Sequence, residues 1–205
     1  VHLQKKKDKQ LSAEGYRINH TGNQVTITSP TDQGLLYAAY HLIRLQQTQE
    51  WDKTTLPIVE NPVFPIRILN HWDNLDGTIE RGYAGKSLWN WEELPAILSP
   101  RYEIYARANA SIGINGTVLN NVNASPQILS APYLQKVKSL ADAFRPYGIK
   151  VYLSVNFASP MVLDSLETAD PLNKEVIRWW KNKVKEIYQL IPDFGGFLVK
   201  ANSEG

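Results

Sequence analysis

Residues 132–156 read PYLQKVKSLADAFRPYGIKVYLSVN. Leu134, Val137, Leu140, Ala141 and Phe144 recur in this stretch at three- and four-residue spacings, which places them on one face of a helix. A Pro-Tyr-Gly break follows at 146–148, and 150–156 is a short apolar run of strand length. A helix with one apolar face that feeds a buried strand is the repeating element of a parallel βα architecture.

The same alternation continues in both directions. Strands are expected at 63–70, 116–120, 150–156 and 197–200, with helices at 100–110, 132–144 and 171–190 between them. The last helix carries Val176, Trp180, Val184, Ile187 and Ile191 on one face. Ser99-Pro100 and Asp170-Pro171 each pair a polar cap with proline at the first helical position, the usual start signal. Four such units over about 145 residues match half of a (β/α)8 barrel, which needs roughly 250. An open doubly wound sheet is the alternative, but no Gly-rich phosphate loop follows any strand. Because half a barrel leaves both edge strands unpaired, the chain is expected to be a fragment of a longer protein.

Towards the N-terminus the pattern changes. Strands at 16–19 and 25–28 flank a polar turn at Thr21-Gly22-Asn23, and a helix follows with Leu35, Leu36, Ala39, Leu42, Ile43 and Leu45 as its stripe. Thr31 or Asp32 is its expected N-cap. Periodicity is lost over 46–62, so the expected division is a small α/β domain at 1–58 and the half-barrel at 59–205. The fold class is therefore α/β, in two parts.

Composition removes several function classes. The 205 residues include no cysteine, which excludes disulfides, thiolate metal sites and a cysteine nucleophile. A formal net charge of +2 with interspersed signs does not form a nucleic-acid-binding field, and Lys5-Lys6-Lys7 reads as a solvated terminal run. No apolar run approaches twenty residues, so membrane insertion is not expected. The histidines at 2, 20, 41 and 71 lack metal-ligand spacing, and no cofactor is expected. Compartment is left open.

In a parallel barrel, reactive groups collect after the C-terminal ends of the strands. Those positions are polar here: Asn70-His71-Trp72-Asp73-Asn74, Asn120-Asn121-Val122-Asn123, Asn156-Phe157 and Lys200-Ala201-Asn202-Ser203-Glu204. Amides, carboxylates, a lysine and aromatic rings suit a sugar, whose hydroxyls need paired hydrogen bonds and whose ring faces lie on aromatics. Asn123, Asn156 and Asp76 equally fit turn closure or capping.

The block NHWDNLDGTIERGYAGKS at 70–87, with FLVKANSEG at 197–205, resembles the xylan-directed α-glucuronidases of glycoside hydrolase family 67. Residues 14–47 are similar to the small domain that precedes the barrel in that family and in hexosaminidases. The resemblance implies an inverting hydrolase that frees glucuronic or 4-O-methylglucuronic acid from α-1,2-linked side groups of xylo-oligosaccharides. It implies Glu204 as general acid and Lys200 as the cation for the sugar carboxylate, with Trp72 and Val122 around the methyl ether. Asp73 and Asn121 are further candidates for hydroxyl contacts, Asp73 equally for ordering its loop. His71 reads as a scaffold residue, Glu80 as a partner of Arg81 or another cation, and Trp89, Trp91, Trp179 and Trp180 as packing.

An inverting enzyme needs a second carboxylate roughly 6.5–9.5 Å from the acid. The resemblance places that base on later barrel strands, so residues 1–205 alone are expected not to turn over. It also implies a homodimer formed through a C-terminal helical region outside this chain. A hexosaminidase-like glycosidase and a non-catalytic carbohydrate-binding protein are the competing readings.

Overall fold

The computed structural model describes residues 1–123 and 125–200. It is a mixed α/β structure that divides into two compact units, Val1–Arg67 with Tyr105–Asn115, and Ile68–Ile104 with the segment from Gly116 onward.

The first unit holds β1 (His2–Lys5), β2 (Tyr16–Thr21), β3 (Gln24–Ser29), α1 (Asp32–Gln47) and β4 (Ile58–Glu60). Its sheet runs β1-β3-β2-β4, with β1 parallel to β3 and the β2 pairs antiparallel. Gly22, at φ +60°, supplies the left-handed residue that the two-residue β2–β3 turn needs. Thr31 is the N-cap of α1, its hydroxyl accepting from Gly34 N at 3.2 Å. The helix packs on β2 and β3 through Tyr37, Ala38, Leu42 and Leu45, which form one core with Tyr16, Ile18, Ile27 and Ile58. A Cβ at Gly34 would lie 2.1 Å from Ser29 Oγ, so helix and sheet meet this closely only over glycine. Lys5 belongs to the exposed edge strand β1 rather than to a free terminal run, and β4 lies inside the stretch where periodicity is lost.

The second unit contains a four-stranded parallel sheet, β5 (Ile68–Asn70), β6 (Gly116–Val118), β7 (Lys150–Ser154) and β8 (Gly196–Leu198), in the order β5-β6-β7-β8. The helices along this part of the chain are α2 (Pro100–Ser111), α3 (Ala131–Phe144), the short α4 (Ser159–Asp164) and α5 (Lys174–Leu190). The unit boundary falls within α2. All five residues of the expected apolar face of α3 are buried, and α3 packs on β7. Two glycines frame Tyr152 on β7: a Cβ at Gly195 would sit 2.3 Å from its ring and one at Gly116 2.7 Å.

The strands are shorter than the apolar runs suggest. Residues 63–67 are not strand, and Val63, Phe64 and Ile66 are exposed. Pro62 and Pro65 interrupt this run, and a proline has no N–H to give a ladder. Helix α5 begins three residues later than expected, because Asn173 caps it by accepting from Glu175 N and Val176 N, while Asp170 closes a turn with Leu172 N. Among the described residues no helix is long and apolar enough to cross a membrane.

Candidate active site

The C-terminal ends of β5 and β6 carry the polar segments expected from the sequence, and hydrogen bonds join them to each other and to Lys200 after β8. The loop after β5 is folded back on itself: Glu80 N donates to Trp72 O (2.9 Å), Asn74 N to Thr78 O (2.8 Å) and Ser87 N to Gly77 O (2.9 Å). Gly77 (φ +84°) makes the tight reversal.

Asp73 is the buried centre of that loop, 2% exposed. Its Oδ2 accepts from Ser87 Oγ (2.6 Å) and Leu88 N (2.8 Å), and its Oδ1 lies 3.5 Å from His71 Nδ1. Burial opposes its charge, but hydrogen bonds from His71, Ser87 and Leu88 N outweigh this and hold the carboxyl below the usual aspartate value. Asp73 thus orders the loop. His71 stacks edge-on against Trp89 at 5.3 Å between ring centroids. Trp89 is itself 1% exposed and donates its indole N–H to Leu119 O at the end of β6. Trp89 is thus a packing residue, as expected, its ring set among His71, Tyr102 and Phe144.

The amides after β6 divide the work. Asn120, 2% exposed, clamps β7 by donating to Ser154 O (3.0 Å) and accepting from Ser154 N (2.9 Å). Asn121 turns the other way. Its backbone N–H donates to Asp73 O (2.8 Å), and its side chain donates to Asn74 Oδ1 (2.9 Å) and Glu80 O (3.1 Å). Asn121 Oδ1 accepts from Asn123 N (2.9 Å), and Asn123 Oδ1 accepts from Lys200 Nζ (2.9 Å) beyond β8. One chain of neutral amides thus runs from the Trp72 loop to Lys200. Glu80 enters it through its backbone carbonyl, which accepts from Asn74 and Asn121.

Beside this chain lies a cleft of about 340 Å3, lined by Asn74, Asp76, Asn120, Asn121, Asn123 and Ser125 among others. Trp72 keeps 37% of its surface exposed, and Val122 is partly buried in the loop after β6. Asp76 accepts from both the N–H and the hydroxyl of Thr78, which hold its carboxyl low. Asn156 spends its side chain on Ala158 N (2.8 Å), closing a turn. Glu204 lies outside the described residues. Sequence reasoning missed Ser87 and the Leu88 amide. The one available signal was that Ser87 ends the same distinctive block that holds Asp73.

Among the described residues no group of three His, Asp or Glu is placed to hold a metal ion. The arrangement offers donors and acceptors to hydroxyls in an open cleft at parallel strand ends, with Lys200 bonded to Asn123 on its wall.

Comparison with known proteins agrees with this geometry. Residues 44–205 match the glycosyl hydrolase family 67 middle domain, and residues 1–60 match glycosyl hydrolase family 20, domain 2. The chain is 44% identical over 201 residues to an alpha-glucuronidase of Hypocrea jecorina, covering 95% of this chain and 24% of that protein. It is 44% identical over 202 residues to alpha-glucuronidase A of Emericella nidulans, covering 96% and 24%. It thus spans about a quarter of the length of these curated relatives. Among solved structures, a GH138 enzyme targeting pectin rhamnogalacturonan II aligns with a TM-score of 0.58 at 17% identity, over 89% of this chain and 24% of that one, a likeness of fold. A family match that takes in the parallel sheet, its polar strand ends and the amide chain to Lys200 makes this chain a member of glycosyl hydrolase family 67.

Proposed function

We propose that this chain is part of an α-glucuronidase that releases glucuronic or 4-O-methylglucuronic acid from xylo-oligosaccharides, and that its parallel sheet is the first half of a (β/α)8 barrel. The observation that carries the reading is the hydrogen-bonded chain Asn74–Asn121–Asn123–Lys200, which links the ends of three parallel strands beside an open cleft. It joins a cation to a row of amides, and one uronic acid needs both: a partner for its carboxylate and paired bonds for its hydroxyls. The names of the curated relatives support the same reaction.

In this proposal Glu204 protonates the leaving glycosidic oxygen, and the base that activates water comes from the rest of the barrel. Lys200 binds the sugar carboxylate. Asn123 accepts from the Lys200 ammonium and positions it without neutralising it, as a carboxylate in the same place would. Trp72 and Val122 line the niche for the 4-O-methyl group, a contact of roughly 1–3 kcal/mol. Asp73, buried and engaged, holds the loop rather than the sugar.

The test is a substrate comparison in the intact enzyme. Glucuronic acid is released from aldouronic acids, N-acetylhexosamine is not released from hexosaminides, and Glu204→Gln abolishes release while retaining binding. Release of the amino sugar instead, or undiminished turnover by Glu204→Gln, would overturn the proposal.

A further inference from the structure

We propose that Asn121 is a positioning residue that sets two walls of the cleft at once, the loop carrying Trp72 and the amide holding Lys200, and so governs the choice between methylated and unmethylated uronic acid; this rests on the glucuronidase function above. The sequence marks Asn121 as a candidate for hydroxyl contacts, but the residue is only 4% exposed and its carboxamide is committed within the protein. Asn121 Nδ2 donates to Asn74 Oδ1 at 2.9 Å and to Glu80 O at 3.1 Å, and Oδ1 accepts from Asn123 N at 2.9 Å. A carboxamide has two donors, and both have acceptors here, so Asn121 acts on a ligand through the groups it holds.

Glu80 is the unusual partner. Its φ of +59° is left-handed, a conformation disfavoured for any residue with a Cβ and kept only where the surroundings hold it. The surroundings here are specific: Glu80 O accepts from both Asn74 Nδ2 (2.8 Å) and Asn121 Nδ2, while Glu80 N donates to Trp72 O (2.9 Å). Two amides therefore grip a strained corner, and that corner grips the main chain of Trp72. Asn121 N reaches the same strand end a second time, donating to Asp73 O at 2.8 Å. In the other direction Val122 follows Asn121 directly, and the bond from Asn123 N turns the chain so that Asn123 Oδ1 accepts from Lys200 Nζ at 2.9 Å. The proposed methyl-ether niche and the proposed carboxylate anchor thus take their positions from one side chain.

The experiment measures kcat and KM of the intact enzyme on xylobiose bearing glucuronic acid or 4-O-methylglucuronic acid, with Asn121→Ala and Asn74→Ala as variants. Asn74→Ala removes bonds to Glu80 O and Asn121 Nδ2 but leaves the Asn121–Asn123 bond, so it loosens the Trp72 wall alone. The expected result is that each variant lowers the methylated-to-unmethylated ratio of kcat/KM about fivefold, the loss given by one neutral hydrogen bond. The KM for the unmethylated substrate rises about fivefold more in Asn121→Ala than in Asn74→Ala, because only Asn121 reaches the amide that holds Lys200. A general loss of stability lowers kcat/KM equally for both substrates and leaves the ratio alone. Should Asn121→Ala not fold, the ratio in Asn74→Ala, at a partly buried loop position, decides. A ratio within twofold of the unmodified value in every folded variant overturns the positioning role while leaving the glucuronidase reading intact. Failure of the unmodified enzyme to release a uronic acid from either substrate overturns both.

Discussion

Replacing Asp73 by alanine removes the acceptor that holds the loop after β5. Ser87 Oγ and Leu88 N lose a charged partner at 2.6 and 2.8 Å, and His71 loses a neighbour at 3.5 Å. A hydrogen bond to a charged group is worth roughly 1.5–3 kcal/mol, and the cost of keeping a carboxylate buried offsets part of the two. The Ser87 hydroxyl can turn to another acceptor, but the Leu88 N–H is fixed by the backbone. The net loss is therefore about 3 kcal/mol, equivalent to roughly a hundredfold in the opening equilibrium of the loop. Hydrogen–deuterium exchange over residues 86–91 reads this directly, and segment 131–144 of α3 serves as the internal control. Asp73→Asn is the informative companion. Its amide oxygen can take over both Oδ2 contacts while its NH2 faces His71 Nδ1 as acceptor, so it should cost only about 1 kcal/mol. Exchange in Asp73→Ala within twofold of the unmodified protein would refute the assignment of Asp73 as the loop's organising acceptor.

Three further outcomes follow from the same geometry. Because the folded pKa of Asp73 is depressed, its contribution is present above the unfolded aspartate value of about 3.9 and is lost as pH falls through the lower folded value; protection at residues 86–91 should hold at pH 5 and decline only below about pH 4. Asn120→Ala strands Ser154 N and Ser154 O between β6 and β7, both lost partners being in the buried interior, and should destabilise the sheet by about 2–3 kcal/mol in urea unfolding; a midpoint equal to wild type counts against the clamp. Gly195→Ala places a methyl carbon 2.3 Å from the Tyr152 ring and should cost about 2 kcal/mol or more, with Tyr152→Ala in the same chain relieving the clash; additive losses in the double variant would contradict it.

The parts of the fold legible in the sequence are those whose signal is local. The apolar face of α3 could be read because helical periodicity and burial report the same five residues. Thr31 could be read as a cap because its partner, Gly34, is three residues away. The edge strand β1 was not legible: all four residues are exposed, and its partner β3 begins some twenty residues later, so no alternation marks it. Nor could apolar content at 63–66 disclose that prolines deny it a ladder position; the prolines were visible, but their consequence depends on which N–H groups the neighbouring strand requires. The site divides in the same way. Residue types at the strand ends announced a polar pocket, whereas the buried role of Asp73 depends on Ser87 and Leu88, and that of Trp89 on Leu119, partners found only by folding.

The amide chain from Asn74 to Lys200 also settles how ionic strength can act on this site. Bonds between amides and carbonyls carry no net charge, so added salt leaves the shape of the Trp72 loop and the placement of Asn123 largely untouched. On the proposed function, the attraction of the Lys200 ammonium for a uronic carboxylate is then the salt-sensitive step in ground-state binding at these strand ends. A simple salt series therefore weighs one contact in a crowded pocket without any substitution.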